Sequence, residues 1–156
     1  MDQAVVEEGE HVPTLWVRHA TPSAGLARRS ISEALRVAGA DEADCLDAAL
    51  IASELVGNAV RHAPPLPSGH LSVEWVLTTD TYTIAVTDGG AIHELTVSDA
   101  SVWDTSGRGL AIVAAVTEDW GVRNDDGRTT VWARGRLSTP VTPPASSPPS
   151  ALYATG

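Results

Sequence analysis

The chain is expected to fold as an α/β two-layer sandwich, a mixed and largely antiparallel sheet with helices on one face, and three observations lead there. Segments with strand and helix patterns follow the order strand, helix, helix, hairpin, helix, hairpin. Both strand pairs are joined by short polar turns, which makes the paired strands antiparallel neighbours. Two long stretches near the start repeat apolar residues at steps of three and four, the mark of helices that bury one face.

Residues 11–19 alternate loosely through Val12, Leu15, Trp16 and Val17 and read as the opening strand. Thr21 and Ser23 offer N-caps for a helix running to about residue 37, with Leu26, Ile31, Ala34, Leu35 and Ala38 at helical spacing and Gly39 as its stop. Asp41 caps a longer helix whose first turns carry Glu42, Asp44 and Asp47, where the positive end of the macrodipole favours acids. The cluster Pro64, Pro65, Pro67 ends it, and Leu46, Ala49, Leu50, Val56 and Val60 are assigned to its core face. Residues 70–78 and 81–87 form a hairpin across Thr79 and Asp80. A polar stretch, 88–106, precedes a short apolar helix at 107–116. Strands at 120–123 and 129–136 then close a second hairpin over Asp125, Asp126 and Gly127. The expected organisation is a flexible N-terminus at 1–10, one domain at 11–137, and a disordered tail rich in proline, serine and alanine at 138–156.

A length of 156 residues suits one domain with a real core. The formal charge of −10 argues against direct binding to a nucleic-acid backbone, which needs a basic footprint. All ten cations are arginine, and the absence of lysine excludes a P-loop, a lysine-dependent kinase fold and Schiff-base chemistry. No apolar run approaches the roughly 20 residues of a spanning helix, and the acidic start lacks the layout of a signal peptide. The expectation is a cytoplasmic protein without a membrane partner. Cys45, the single cysteine, sits in an apolar helical stretch and reads as a small buried hydrophobe. The five tryptophans read as core and sheet-packing residues.

Three segments carry chemistry. On the long helix Glu54 and Asn58 stand one i,i+4 step apart on a polar stripe with Asp47, Arg61 and His62. A carboxylate beside a neutral amide oxygen suits a hard cation such as Mg2+, although a polar stripe is also what any surface helix shows. In Val86-Thr87-Asp88-Gly89-Gly90 a strand ends in an acid that could accept from an exocyclic amine, with glycines that would let a flat base approach; a plain turn is the competing reading. In Ser106-Gly107-Arg108-Gly109-Leu110 two glycines open a helix, where free amides and the dipole attract anions. A dinucleotide fingerprint is a poor alternative there, since no βαβ unit surrounds it.

In this order the three segments resemble the N, G1 and G2 boxes of the GHKL ATPases, with Glu54-Leu55-Val56-Gly57-Asn58 first, Asp88-Gly89-Gly90 next and Gly107-Arg108-Gly109-Leu110 last. More narrowly the chain is similar to the anti-sigma factor serine/threonine kinase branch, whose ending resembles Trp120-Gly121-Val122 and the run from Gly127 to Ala133. The resemblance implies a Bergerat-type fold, with Mg2+ and ATP as cofactors. It implies that Asn58 ligates the metal, that Glu54 is the general base, and that Asp88 and Gly90 meet adenine with Thr130 near the same ring. Arg61, His62, Gly107, Arg108, Gly109 and Leu110 would lie near the phosphates, beneath a lid at 89–106. The resemblance further implies a protein partner, a sigma factor or an anti-sigma antagonist, and a homodimer formed through the opening strand or Trp16. One departure is Ala91-Ile92-His93, where more glycine or proline usually follows.

Two functional readings follow from the resemblance. The first is a kinase that transfers the γ-phosphoryl to a partner's serine or threonine; the second is a nucleotide-dependent binding regulator without turnover. Glu54 favours the first, because a pure binder needs no base there. A detached histidine-kinase catalytic domain is a third and weaker option, as no phosphoacceptor helix is evident.

Overall fold

The computed structural model describes residues 6–7, 12–90 and 109–145. Along them run β1 (Val6–Glu7), β2 (Thr14–Arg18), α1 (Ser23–Ala38), α2 (Glu42–His62), β3 (His70–Leu77), β4 (Thr81–Asp88), α3 (Gly109–Val116), β5 (Asp119–Asp125) and β6 (Arg128–Arg136). The strands make one sheet in the order β1-β2-β3-β4-β6-β5. Every pairing among the described strands is antiparallel, so the mixed component expected from sequence is not found among them. No described helix is long and apolar enough to cross a membrane.

Period-two alternation decides which side chains meet the helices. Leu71, Val73, Trp75 and Leu77 of β3, Tyr82, Ile84 and Val86 of β4, and Val131 and Ala133 of β6 join Ala27, Ile31 and Leu35 of α1 and Cys45, Ala48, Ile51, Ala52, Leu55, Val56 and Ala59 of α2 in one core. Cys45 is buried and free, as its apolar setting suggests. A smaller cluster of Val12, Val76 and Ala85, with Trp132 packed on it, lies on the opposite face of the sheet. Two glycines make room for aromatic rings across the ladder. Gly135 lies opposite Tyr82 and Gly121 opposite Trp132, whose indole would stand 2.9 Å from a Cβ there. Tyr82 is buried among these groups and its phenol is pushed up by desolvation.

The helix ends are only partly those expected. Gly39 takes the left-handed conformation and donates to Arg36 O while Ala40 donates to Leu35 O, a paired closure of the last turn of α1. At the other end Pro22 is the cap residue and no side chain caps the helix; Ser23 Oγ instead donates to Arg18 O at 2.6 Å. Asp41 occupies the cap position of α2 without a side-chain bond. Leu46 was assigned to the core and is 57% exposed, because the buried stripe of α2 runs through Cys45, Ala48, Ala52, Leu55, Val56 and Ala59.

Contacts also lie on either side of the span 11–137. Val6 and Glu7 pair with Leu15 and Thr14, within the segment expected to be flexible. At the other end the chain stays with the fold beyond Leu137. Ser138 donates through N and Oγ to the buried Asp44 carboxylate at 2.8 and 2.9 Å. Val141 is buried, its N–H donates to Thr79 O, and the Thr142 N–H donates to Ala38 O. The tail expected from residue 138 is thus, as far as 142, a strap whose Val141 gives the core something to bury.

Candidate functional site

The site lies where the C-terminal half of α2 meets the end of β4. Apolar residues of α2 pack on the sheet, which turns the neighbouring stripe, Glu54, Asn58 and Arg61, along the flank of the contact. The two elements are tied by backbone: the Gly89 N–H donates to Pro64 O at 2.9 Å. His19, at the end of β2, ties them from a third direction, its Nε2 lying 2.6 Å from Ala63 O and 3.2 Å from Ala59 O. Ala59 O already accepts from the Ala63 N–H, and the imidazole adds a donor there and supplies one to Ala63 O beyond the last turn of α2.

Asn58 is 2% exposed. Its Oδ1 accepts from Arg61 Nη2 at 3.1 Å, and its Nδ2 is buried with no hydrogen-bond partner among the described residues. Leaving such a donor unmade costs about 1–3 kcal/mol, so a ligand or its bound water has something to gain by meeting this amide. Glu54 is half-buried one turn earlier on the same helix. Gly57, between them, leaves room for the Arg61 guanidinium, whose Nη1 would stand 3.3 Å from a Cβ at that position.

Asp88 is 1% exposed, and its Oδ1 accepts from the Gly90 N–H at 2.8 Å. Burial pushes the carboxyl up to about 6, while the Gly90 N–H and the nearby His19 hold it back from going further. Among the described residues no other donor is hydrogen-bonded to this carboxylate, so the second oxygen can take one from a ligand. The glycines after it are needed by the protein itself. A Cβ on Gly89 would collide with Pro65 O, and one on Gly90, at φ +83°, would collide with Gly127 O. Backbone approach, expected from a base, is here made first by the protein's own chain.

Thr130 is not beside Asp88. It stands opposite Thr87, with the two hydroxyls 2.8 Å apart, on the face of the sheet that carries Trp132. Thr129 is the residue opposite Asp88; it is buried, shares the face of Val131 and Ala133, and donates through Oγ1 to Asn124 Oδ1 at 2.8 Å. A one-residue step along a strand exchanges faces, which is why Thr130 belongs elsewhere and Thr129 was missed. The burial of Val131 and Ala133 was the available signal. His19 was missed as well, and no local pattern marks it.

Arg61 is exposed, and His62 ends α2 half-buried with its own partner. Gly109 and Leu110 open α3; Gly107, Arg108 and residues 91–106 of the lid expected at 89–106 lie outside the described residues. Among the described residues no cluster of three histidine, cysteine or acidic groups stands ready for a metal. A Mg2+ site at Asn58 therefore needs oxygens from the ligand, as Mg2+ on a polyphosphate commonly has. A neutral amide oxygen flanked by a carboxylate, with an unpaired amide donor beside it, fits that arrangement.

Comparison with curated proteins gives no match. Among solved structures the chain is similar to the RsbU and RsbW domains of Rv1364c from Mycobacterium tuberculosis, with a TM-score of 0.57 and 23% identity. The match covers 80% of this chain and 32% of that one, so the chain spans about a third of its length. At that identity the likeness supports the fold. Residues 18–134 match the sequence profile of the histidine kinase-like ATPase domain, a span that includes α1, α2, the site and the final hairpin, and the chain belongs to that family.

Proposed function

We propose that the chain binds Mg–ATP between α2, Asp88 and the N-terminus of α3 and acts as a regulatory serine/threonine protein kinase of the anti-sigma factor type. The observation that carries the reading is Asn58, a buried amide with an unpartnered donor, one helical turn from Glu54 and joined through Pro64 and Gly89 to a buried carboxylate at the strand end. Family membership supports nucleotide binding, and the structural likeness to a chain containing an RsbW domain supports the regulatory branch. The net charge of −10 favours a protein partner over a polyanion.

In this reading the oxygen of Asp88 not engaged by Gly90 accepts from the adenine amine. Asn58 holds Mg2+ through Oδ1, and the bound ion supplies charge neutralisation at the phosphates. Arg61 and Arg108 add guanidinium donors to the phosphates, and the amides of Gly107, Gly109 and Leu110 add the helix N-terminus. Glu54 accepts the proton of the partner's serine or threonine hydroxyl as its oxygen attacks the γ-phosphorus and ADP leaves. Positioning and charge neutralisation are the main needs of such a transfer, and a chain without lysine meets them with metal, amides and arginine. The partner is a small anti-sigma antagonist that is phosphorylated, a sigma factor that is sequestered, or both in turn.

The purified protein with labelled ATP, Mg2+ and candidate antagonists tests this. Phosphate should appear on a serine or threonine of the partner, and Glu54→Ala should slow the transfer by about 100- to 10,000-fold while leaving ATP bound. Tight ATP binding with no transfer to any partner would leave the binding regulator as the correct reading. No heat with magnesium and adenine nucleotides would remove both.

A further inference from the structure

Arg61 lies one turn beyond Gly57 on α2, and its guanidinium folds back along the helix. A Cβ on Gly57 would sit 3.3 Å from Nη1, 3.5 Å from Nη2 and 3.7 Å from Cζ, so the charged fork rests in the space that the missing side chain leaves. From there Nη2 donates to Asn58 Oδ1 at 3.1 Å, while Asn58 Nδ2 is buried without a partner among the described residues. The acceptor of this amide is taken and its donor is idle.

That acceptor is the atom assigned to the divalent ion in the reading above. A carbonyl oxygen has two lone pairs, but a guanidinium on one and a doubly charged ion on the other would stand within a few ångströms of each other, where like charges repel. Arg61 is an exposed residue with a long side chain of several rotatable bonds, so its fork has solvent to move into. Glycine inside a helix is unfavourable relative to alanine, and here its one visible structural consequence is the seat it gives this side chain.

Resting on the Mg–nucleotide reading, we propose that Arg61 and the divalent ion compete for Asn58 Oδ1, and that Gly57 with Arg61 sets the Mg2+ concentration at which the site fills. Mg2+ binding then moves the guanidinium off the amide and frees it for the phosphates, so metal entry and phosphate contact are coupled through one side chain. A role confined to phosphate binding predicts something different. Loss of Arg61 would then weaken ATP binding and leave the metal requirement unchanged or raised.

Calorimetric Mg2+ titrations at one fixed ATP concentration, on the unaltered protein, Gly57→Ala and Arg61→Gln, separate these cases; the affinity of ATP itself for the ion is common to all three. Gly57→Ala crowds only the end of a flexible side chain and improves the helix, so it is expected to fold. Competition predicts that Gly57→Ala, which crowds the fork yet keeps the phosphate donor, reaches half-saturation at lower Mg2+ by roughly a few-fold, while Arg61→Gln serves as the reference for an amide without its guanidinium. It also predicts that the Asn58 side-chain amide resonances of Gly57→Ala shift, before nucleotide is added, in the same direction as those of Arg61→Gln. An unchanged or raised Mg2+ midpoint in Gly57→Ala overturns the proposal while leaving the nucleotide site standing. Absence of any nucleotide heat in the unaltered protein overturns the site and the competition together.

Discussion

Burial holds the Asp88 carboxyl at about 6 against an ordinary 3.8, so its charge changes within the range of a routine buffer series. The consequence for stability has a definite sign. A carboxyl whose folded value is raised favours its neutral form in the fold; that contribution is complete below about pH 4 and is lost as pH rises through about 6. Nucleotide binding should run the other way. Oδ1 already accepts from Gly90, so the proton taken up in acid sits on the second oxygen and turns it from an acceptor into a donor facing an amine. ATP affinity is therefore expected to rise between about pH 5 and pH 7 with a midpoint near 6. In Asp88→Asn it should be at least about tenfold weaker and flat over that range, a charged acceptor being worth about 1.5–3 kcal/mol. Calorimetry across the series checks both, and a flat profile in the unaltered protein would remove Asp88 from the adenine end.

At the scale of elements, Gly89 and Gly90 couple the end of β4 to two other parts of the chain. The first lies against the Pro64–Pro65 backbone, and the second, at φ +83°, against Gly127 in the β5–β6 turn. Gly90→Ala should cost about 3 kcal/mol, since it adds left-handed strain to a collision with backbone that cannot rotate away, and urea denaturation measures it. An effect under about 1 kcal/mol would mean that the turn relocates freely. The extent of these elements was readable because their signals are local: Gly39 closes α1, the prolines close α2, and Asp126-Gly127 turns the last hairpin with positive φ at both residues. Their phase was not. Leu46 and Cys45 both suit a helical core stripe, and only tertiary packing selects Cys45 and exposes Leu46. The same uncertainty of one residue put Thr130 in the site in place of Thr129. Asn58, Glu54 and Asp88 could be put forward as candidates because residue type and spacing on single elements mark them. His19 was not, because it acts on the Ala59 and Ala63 carbonyls 40 and 44 residues away.

For the whole molecule, the strap from Leu137 to Thr142 closes the end of the sandwich remote from Asp88 in the β3–β4 hairpin. It joins that hairpin loop through Asp80 O and Thr79 O, α1 through Ala38 O, and α2 through Asp44. Composition hid this, because a window rich in proline and serine looks alike whether or not one valine within it is buried. Asp44, expected as an acid in the first turns of its helix, is also a buried carboxylate whose partners come from Ser138. A chain ending at Leu137 exposes the surface that Val141 covers and leaves Asp44 without those two donors. Val141 contributes about 1.5–2 kcal/mol and the orphaned carboxylate at least about 1 more, so the shortened chain should be about 3 kcal/mol less stable than one ending at Ala145. For a domain of this size that lowers the melting temperature by about 6–12 °C. Asp44→Asn in the full chain should reproduce only part of the loss, about 1 kcal/mol, because Val141 stays buried and one acceptor remains. Equal midpoints for the chains ending at 137 and 145 would show that the strap lies on the fold without supporting it.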